Sequence, residues 1–511
     1  MKLEAVIGLE FHVQLKTKSK MFCSCANDAD SPTPNKNICP ICLGHPGVLP
    51  KVNAEAVNMA LKAALALNCE VANFTKFDRK NYFYPDLPKG YQISQFDKPL
   101  ALGGWLVINS MASDGLSGKL DDEKQLKRIG IIRLHLEEDS AKSTHKKNNS
   151  LIDFNRGGSP LVEIVTAPHM STPQEAKTFA QEIQLIMRHL EISDADLEKG
   201  HLRCDVNVSL RPAGDQEFYP KTEIKNINSF RAMERALEYE IERQTELWKT
   251  GLAPTAQETR GWNDAAGETV LQRVKEAEHD YRYFPEPDLP PLAFTNEQIE
   301  KVKNEMPELP QAKRLRFTQM FELTGEQAKI LTENKALAVY TENVISELQD
   351  WLQTAAEADG TAEEIWKKNK IKAVKLLCGW LINKFLPLLD ELNIRFAENK
   401  ITPENFAEFI VMIYQNKINS AAAQIILKEM AETGVDPEHV LNDKDLAQLS
   451  SGADMDQIID SIIRNNPEQA QQYKNGKIAI IKYFVGIVMK ETKGKANPQE
   501  TEKSLSKKLS K

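Results

Sequence analysis

The sequence predicts an α+β protein in which an antiparallel sheet with packed helices is followed by helices alone. Segments before residue 292 repeatedly alternate apolar and polar residues with the period of a β-strand. From Asn296 onward these segments vanish, and helical periodicity replaces them. The proline-rich stretch that ends at Leu292 separates the two regions, so the first domain is predicted to span residues 1–292.

Length and composition limit the class of protein. The chain has 511 residues, of which 41% are hydrophobic and 27% charged, as in ordinary soluble proteins of several domains. No apolar run approaches the roughly 18 residues of a membrane span, and the N-terminus lacks a signal-peptide core. We therefore expect a cytoplasmic protein without membrane contact. The net charge of −8 argues against nonspecific nucleic-acid coating, although a local basic patch stays possible.

The first strand pattern, residues 6–15, alternates without interruption. Apolar residues such as Leu9 and Phe11 point one way, and Glu10 and His12 point the other. This pattern fits an exposed edge strand that carries two polar residues by chance. It also fits one side of a polar site, and the later strands favour this second interpretation.

Four of the seven cysteines lie close together with the spacing C-x-C-x13-C-x2-C. Two close pairs joined by a loop allow four thiolates to converge on Zn²⁺, whereas the alternative is four reduced cysteines that are merely packed. Four protein ligands leave no open coordination position, so the predicted zinc site is structural. Its ligands are Cys23, Cys25, Cys39 and Cys42.

Residues 54–67 predict a packing helix, and residues 77–95 are rich in aromatic, proline and charged residues. Here Arg79 and Lys80 precede Tyr82, an arrangement that suits a cationic clamp for a nucleotide or a 3′-terminal adenosine. The alternative is an aromatic loop packed on the sheet.

Two further strand patterns carry charge. In residues 128–142, His135 and Glu137 share one face with Arg133, and Glu138 lies on the other face. In residues 151–166, a Gly-Gly turn precedes a buried strand that contains Glu163. A carboxylate in such a strand is costly unless it meets a cation or a metal.

After a helix predicted at 172–191 with Thr172 as N-cap, residues 201–211 alternate most regularly. Their polar face contains Arg203 and Asp205, and Lys221, Glu223 and Lys225 alternate likewise in the next strand, ahead of a helix at 229–248. Together these strands predict a sheet floor on which carboxylates hold Mg²⁺ and cations grip phosphate. The expected chemistry is phosphoryl transfer from ATP, although neither a P-loop nor a kinase signature occurs. A histidine is an awkward Mg²⁺ ligand, so it binds through water, or the site accepts Mn²⁺.

The remaining sequence predicts helices at 297–306, 328–337, 344–355 and 373–389, then helices capped at Thr402 and Ser420, with Gly434 ending the last. Beyond Gln471 there are ten lysines and three acidic residues. This excess suits a polyphosphate backbone, and the alternative is a frayed lysine-rich terminus.

Several long motifs, spread over nearly the whole chain, resemble the GatB/GatE family, the B subunits of glutamyl/aspartyl-tRNA amidotransferases. The motifs are the four cysteines and residues 8–13, 78–86, 91–95, 133–139, 202–207, 280–288 and 494–498. The resemblance implies a glutamine-synthetase-like cradle domain at 1–292 with a zinc knot at 23–42, a helical domain at 293–405, and an all-helical tRNA-binding tail at 406–511.

The resemblance also implies a reaction. ATP phosphorylates the side-chain carboxylate of Glu mischarged on tRNA(Gln), or of Asp on tRNA(Asn), and ammonia then displaces phosphate. Ammonia would come from the amidase (glutaminase) partner of the amidotransferase, with a small third subunit that clasps both, because this chain has no Ser-Ser-Lys amidase signature. The implied cofactors are ATP, Mg²⁺ and a structural Zn²⁺.

Carried over by position, the metal and phosphate site would consist of Glu10, His12, Glu138, Glu163, Asp205 and Glu223. Alternation places Glu138 on the core side, so either a bulge turns it or Glu137 is the ligand. We expect substrate and ATP to contact Arg79, Lys80, Tyr82, Arg203, Lys221 and Lys225. Two other functions stay open: a noncatalytic tRNA-binding scaffold for the amidase, and a glutamine-synthetase-like ligase acting on free glutamate.

Overall fold

A computed structural model describes residues 2–109, 126–275, 280–354, 361–446, 453–492 and 496–510. The chain divides into two compact units, Met1–Lys313 and Arg314–Lys511. The first is a mixed α/β unit built on a large sheet, and the second is helical. This confirms the predicted α+β class at the level of sheet first and helices afterwards.

The described strands lie in the first unit. They are β1 (Leu3–Gln14), β2 (Glu70–Val71), β3 (Phe74–Thr75), β4 (Asp78–Asn81), β5 (Tyr91–Ser94), β6 (Ala101–Asn109), β7 (Leu126–Glu138), β8 (Lys142–His145), β9 (Ser150–Asp153), β10 (Pro160–Thr166), β11 (Leu202–Pro212), β12 (Thr222–Lys225), β13 (Gln257–Asn263), β14 (Glu268–Lys275), β15 (Phe284–Pro285) and β16 (Leu292–Ala293).

Nine of these strands form the main sheet in the order β14-β13-β12-β11-β1-β10-β7-β6-β2. All neighbours are antiparallel except β12 and β13. The long strand β1 lies in the middle, between β10 and β11. Smaller sheets join β15-β4-β5, β16-β3 and β8-β9.

Helices cover one face of the main sheet. They are α1 (Ala54–Ala66), α2 (Pro173–His189) and α3 (Phe230–Lys249). The apolar side chains of β1 belong to this core, where Phe11 packs on Phe179 of α2. The predicted cap of α2 is confirmed, because Thr172 Oγ1 accepts a hydrogen bond from the N–H of Glu175. The polar residues of the strands therefore lie on the opposite face.

The first unit continues past Leu292. Helix α4 (Asn296–Asn304) contacts α1, and its Val302 is part of the same hydrophobic core. The division between the units falls at residue 313, and the domain boundaries at 292 and 405 stay predictions. The Gly- and Asp-rich sequence of residues 103–127 predicts a hairpin with a variable loop. Strands β6 and β7 do pair as a hairpin, and residues 110–125 lie outside the described residues.

The remaining described helices are α5 (Pro310–Phe321), α6 (Gly325–Thr332), α7 (Lys335–Thr354), α8 (Ala362–Trp380), α9 (Leu386–Glu391), α10 (Pro403–Tyr414), α11 (Ser420–Thr433), α12 (Pro437–Asp443), α13 (Ala453–Asn465), α14 (Pro467–Lys474), α15 (Ile481–Glu491) and α16 (Pro498–Leu509), with a π-helical turn at Leu381–Phe385. Among the described residues, no helix combines the length and apolar character needed to cross a membrane.

Two predicted details of this region are wrong. The helix expected at 328–337 is broken, because the side chain of Asn334 accepts the N–H of Ala336 and so starts α7 anew. The cap of α11 is Asn419 and not Ser420, since Asn419 Oδ1 accepts the N–H groups of Ala421 and Ala422. The predicted cap at Thr402 and the left-handed Gly434 at the end of α11 are confirmed.

Candidate active site

The register of the central strands lines up polar residues across the open face of the sheet. Across β1 and β10, His12 is opposite Glu163, and Glu163 is in turn opposite His135 of β7. On the other side of β1, Glu10 is opposite Asp205 of β11. Directly paired residues of an antiparallel sheet point to the same face, so these side chains converge.

Four of these side chains, together with Glu137, form what we call the acid–histidine cluster. Its members are Glu10, His12, His135, Glu137 and Glu163. His12 Nε2 lies 3.6 Å from Glu163 Oε2, 3.7 Å from Glu137 Oε1 and 3.9 Å from Glu10 Oε1. His135 Nε2 lies 3.4 Å from Glu163 Oε2 and 3.8 Å from Glu137 Oε2. The cluster combines residues from three strands that are far apart in the sequence.

Burial and mutual charge shift the pKa values within the cluster. Burial, together with the neighbouring charge of Glu163, raises the pKa of Glu10. Burial opposes ionisation of Glu137, but the close approach of His135 and the charge of His12 outweigh it and lower the pKa of Glu137. Burial also opposes the charged form of His135, yet Glu163 and Glu137 raise its pKa. The cluster thus holds negative charge that nearby positive charge stabilises.

The donor set of the cluster fits a divalent cation. Ligand atoms of Glu10, His12 and Glu163 lie within 4.8 Å of one another, and so do those of His135, Glu137 and Glu163. The two triads share Glu163. Carboxylate oxygens suit Mg²⁺ or Mn²⁺, and the histidines favour Mn²⁺ more than Mg²⁺.

The other two predicted acids form a neighbouring group with a lysine. Lys225 Nζ lies 2.5 Å from Asp205 Oδ2 and 3.1 Å from Glu223 Oε1. Thr259 Oγ1 donates a hydrogen bond to Glu223 Oε2 at 3.0 Å. Asp205 reaches towards the cluster through its pairing with Glu10, whereas Glu223 is one strand further away.

Glu137 and Glu138 point to opposite sides of β7. Glu137 is in the cluster, whereas the carboxylate of Glu138 forms an ion pair with Lys89 and accepts the N–H of Ile93 at 2.9 Å. The regular alternation of the strand therefore persists through this point. The structure therefore places the alternative ligand, Glu137, in the cluster, and it places Glu138 outside the cluster.

Arg79 and Lys80 also separate, because they are consecutive in β4. Arg79 makes two hydrogen bonds to Glu286, of 2.7 and 2.8 Å, and lies over the ring of Tyr91. Lys80 is half-buried on the other side, with its Nζ 5.0 Å from the centre of the Tyr281 ring. Burial opposes the charge of Lys80, but Glu137 and Tyr283 raise its pKa. Lys80 faces the cluster and Arg79 does not.

Two cavities adjoin the cluster on the open face. One, of about 400 Å³, is lined by His12 and Glu137 together with Lys80, Tyr82, Arg203, Asp205 and Lys225. The other, of about 1000 Å³, is lined by Glu10, Arg133 and Lys221, among others. Arg203 forms an ion pair with Asp139, with Nη2 2.9 Å from Oδ2. Residues of the cluster thus line both cavities.

The sequence pattern predicts His135 on the same face as Glu137 but not as part of the site. The missing signal was the register between β7 and β10, which sets His135 opposite Glu163. Asp139 was likewise left out, and it meets Arg203 only through the fold.

The four clustered cysteines converge as predicted. The sulfur atoms of Cys23, Cys25, Cys39 and Cys42 lie within 4.8 Å of one another, a spacing compatible with tetrahedral coordination of Zn²⁺. A hydrogen bond from Cys23 and the nearby charge of Lys20 lower the pKa of Cys42 to about 5. All seven cysteines lie among the described residues and are free thiols. A metal can therefore use the cluster without competition from a disulfide.

Comparisons with known proteins cover both units. A family profile described as the GatB/GatE catalytic domain matches residues 5–300, and one described as the GatB domain matches residues 363–509. The chain is 44% identical over 513 residues to the B subunit of the aspartyl/glutamyl-tRNA(Asn/Gln) amidotransferase of Carboxydothermus hydrogenoformans, with 99% of each chain covered. Proteins of the same name from Brevibacillus brevis and Persephonella marina are 44% and 42% identical, with 97% and 99% of each chain covered.

Proposed function

The chain belongs to the GatB/GatE family of tRNA-dependent amidotransferase subunits, and on this premise we propose that it activates a tRNA-linked carboxylate with ATP. The substrate is Glu mischarged on tRNA(Gln), Asp mischarged on tRNA(Asn), or both. The products are Gln-tRNA(Gln) and Asn-tRNA(Asn). The observation that carries this proposal is the acid–histidine cluster, whose residues line two cavities that also contain lysine and arginine side chains.

The reaction needs two steps. A carboxylate does not form an amide with ammonia at neutral pH until one of its oxygens becomes a leaving group. Transfer of the γ-phosphoryl group of ATP to a side-chain oxygen of the substrate gives an acyl phosphate and ADP. Ammonia then attacks the carbonyl carbon, the C–O bond to phosphate breaks, and the nitrogen loses a proton. The acyl phosphate must be shielded from water until ammonia arrives.

In this proposal, the cluster residues hold Mg²⁺ or orient the side chains that hold it. Glu10, His12, Glu137 and Glu163 would hold Mg²⁺, with His135 orienting Glu137 and Glu163. A bound Mg²⁺ would neutralise phosphate charge during the transfer. Asp205 and Glu223 bind Lys225 and hold it beside the cluster, so that Lys225, Lys80 and Arg203 can attract the phosphates. Tyr82 and Lys221 line the two cavities where substrates bind.

Ammonia comes from a partner in this proposal. Besides the metal-binding set, the chain has Cys69, Cys204 and Cys378, and all three are buried. Burial raises the pKa of Cys69 and Cys378 to about 12 and that of Cys204 well above its ordinary value. These thiols do not form the reactive thiolate that a glutaminase needs. We therefore assign the ammonia source to an amidase partner, held together with this chain by a small third subunit in the cytoplasm.

We also propose that the first unit contains the catalytic site and that the second unit binds tRNA. The first, with its charged sheet face, would be a glutamine-synthetase-like cradle that contains a structural Zn²⁺ at the four cysteines. The second unit would bind tRNA through its C-terminal helices, where the lysines are mostly exposed. Exposed ones include Lys474, Lys477, Lys482, Lys490, Lys503 and Lys507. Lysine side chains on such a surface bind phosphate backbones.

The test compares Glu163→Gln with the wild-type chain, each assembled with the amidase and the small third subunit. The assay measures ADP formation with mischarged tRNA in the presence of Mg²⁺. We expect Glu163→Gln to lower the rate by about 100-fold or more, because Glu163 belongs to both ligand triads. Glu268→Gln, at an exposed position of β14, is the matched control and should keep the wild-type rate.

The competing functions predict different results. A noncatalytic scaffold predicts that Glu163→Gln leaves ADP formation intact. A ligase for free glutamate predicts turnover of free glutamate without tRNA. Either result would contradict the proposed function.

A further inference from the structure

We propose that the four-cysteine site positions Glu137 for cation binding, and that Lys89 and Glu138 are the positioning residues that connect the two sites. This inference rests on the proposed function, because it assigns a role to residues around its cation site. It differs from the view of the zinc knot as a scaffold without influence on the chemistry.

Glu138 lies between the cation site and the cysteine site. It follows Glu137 directly in β7, so the backbone between them is shared, while their side chains point to opposite faces. Glu138 is only 3% exposed. It lines a cavity of about 220 Å³ that is also lined by Cys23 and Cys42. The strand end that presents Glu137 to the cluster thus presents its neighbour to the cysteine site.

Hydrogen bonds and an ion pair hold the end of β7 that contains Glu137 and Glu138. The Glu138 carboxylate binds Lys89 and the N–H of Ile93, and its backbone oxygen accepts a hydrogen bond from Gln92 Nε2 at 2.7 Å. Ser94 Oγ donates to Glu137 Oε2 at 3.2 Å. Residues 89–94 therefore hold both glutamates, from both faces of β7.

Residues 89–94 contact the cysteine site through Lys89, which packs against the turn that follows Cys42. Gly44 lies two residues after Cys42 in the same turn, with a positive φ of 67° and its N–H bonded to the oxygen of Ile41. A Cβ atom added to Gly44 would lie 2.4 Å from Cγ of Lys89. The turn therefore packs directly on the stem of the lysine whose ammonium group binds Glu138.

The ion pair of Lys89 with Glu138 is buried, since the two side chains are 8% and 4% exposed. Removing one partner of a buried pair leaves the other charge without compensation, and the local structure must rearrange to solvate it. Such a rearrangement at Glu138 moves the adjacent Glu137. Outer residues of this kind typically change metal affinity by about 10–100-fold when they are replaced.

The probe for the cation site is Mn²⁺, whose free concentration is measured by electron paramagnetic resonance with the full-length chain. We expect Lys89→Met to weaken Mn²⁺ binding by about tenfold while zinc content stays unchanged. Lys89→Arg should restore most of the affinity, because it keeps the positive charge. Lys51→Met, at an exposed lysine shortly after the cysteine turn, is the matched control and should bind Mn²⁺ like the wild type.

A second pair of variants tests the connection itself. Cys39→Ser should remove the zinc and weaken Mn²⁺ binding by about tenfold in the wild-type background, but cause little further loss in Lys89→Met. Equal losses in the two backgrounds would overturn the proposal, as would unchanged Mn²⁺ affinity in Lys89→Met. If Lys89→Met does not fold, Gly44→Ala takes its place, since it displaces Lys89 without removing any charge.

The outcome also separates this inference from the proposed function. If the wild-type chain binds no Mn²⁺ that Glu163→Gln removes, the cation site itself is wrong and both proposals fail. If Glu163→Gln removes Mn²⁺ and Lys89→Met does not weaken it, the cation site stands and only the positioning role is wrong.

Discussion

His12 and Glu163 face each other on neighbouring strands: their Cα atoms pair in the register of β1 with β10, and His12 Nε2 lies 3.6 Å from Glu163 Oε2. From the other side, β7 sets His135 opposite the same glutamate, with Nε2 3.4 Å from Oε2. Glu163 is thus held between two histidines. Arg133 Nη2 also donates a hydrogen bond to Glu163 Oε1 at 3.0 Å, and this ion pair explains why a carboxylate is tolerated in a strand that is otherwise apolar and buried.

Glu137 and Glu138 can be separated by matched substitutions. We expect Glu137→Gln to weaken Mn²⁺ binding by about 100-fold, since it removes a direct ligand, and Glu138→Gln by about tenfold, since it acts through its neighbour. Mn²⁺ titration followed by electron paramagnetic resonance measures both. A larger loss in Glu138→Gln would restore Glu138 as the ligand.

We expect replacement of Arg79 to lower the stability of the protein and replacement of Lys80 to lower its activity. Arg79→Met leaves the buried Glu286 without its bidentate partner, and we expect the free energy of unfolding to fall by about 3 kcal/mol. Lys80→Met should leave stability nearly unchanged but lower ATP-dependent activity by about 100-fold. Urea unfolding and ADP formation measure the two effects. Full stability with lost activity in Arg79→Met would return Arg79 to the site.

The cysteine site should carry about one equivalent of zinc in the purified protein. Cys42→Ser should lose the metal and lower the melting temperature by about 5 °C, because metal binding contributes to folding of this loop region. Cys69→Ala removes a buried cysteine outside the site and should keep the metal. Four titratable thiols in the wild-type chain, without zinc, would contradict the assignment.

Glu408 in α10 predicts a pH-dependent stability of the second unit. Burial beside Asp436 and Glu438 raises its pKa to about 7, from the ordinary value of 4.5. Between these two pH values the folded state holds a proton that the unfolded state has lost, so stability falls as pH rises through this window.

Glu408→Gln should therefore raise the melting temperature by about 2 °C at pH 8 and have little effect at pH 4.5. Thermal unfolding followed by circular dichroism at both pH values measures the difference. Glu404→Gln, at an exposed position of the same helix, should show no such pH dependence. A stabilisation of equal size at both pH values would exclude titration of Glu408 as its cause.

Truncation can test the proposed tRNA-binding region. The hydrophobic core that contains Phe406 and Phe409 ends near Leu446, and a separate core begins at Met455. Ending the chain after Leu446 should lower tRNA affinity by about tenfold or more at moderate salt, because it removes the lysine-rich helices. Filter binding with mischarged tRNA measures this, and Mn²⁺ binding should be unchanged. Unaltered tRNA affinity would refute the assignment.

Helices α1, α2 and α3 and the central strands β1, β7, β10, β11 and β12 could be predicted from the sequence, because their signals are local, whereas short strands such as β4 and the outer strands β13 and β14 were not predicted. Alternation of period two fixes which side chains of β1, β7 and β11 share a face, and this placed His135 with Glu137 and Arg203 with Asp205. Capping by Thr172 and Thr402 follows from side chains a few residues away from the N–H groups that they bind.

The sequence by itself therefore determined the faces of the strands, the cysteine cluster and, through long motifs, the family. Only the tertiary structure decided which faces meet. Register between strands that are not consecutive in the sequence brings Glu163 between His12 and His135, and the fold places Glu137 in the cluster and Glu138 against Lys89. Such pairings depend on sheet order and on packing across the whole unit, and no local pattern encodes them.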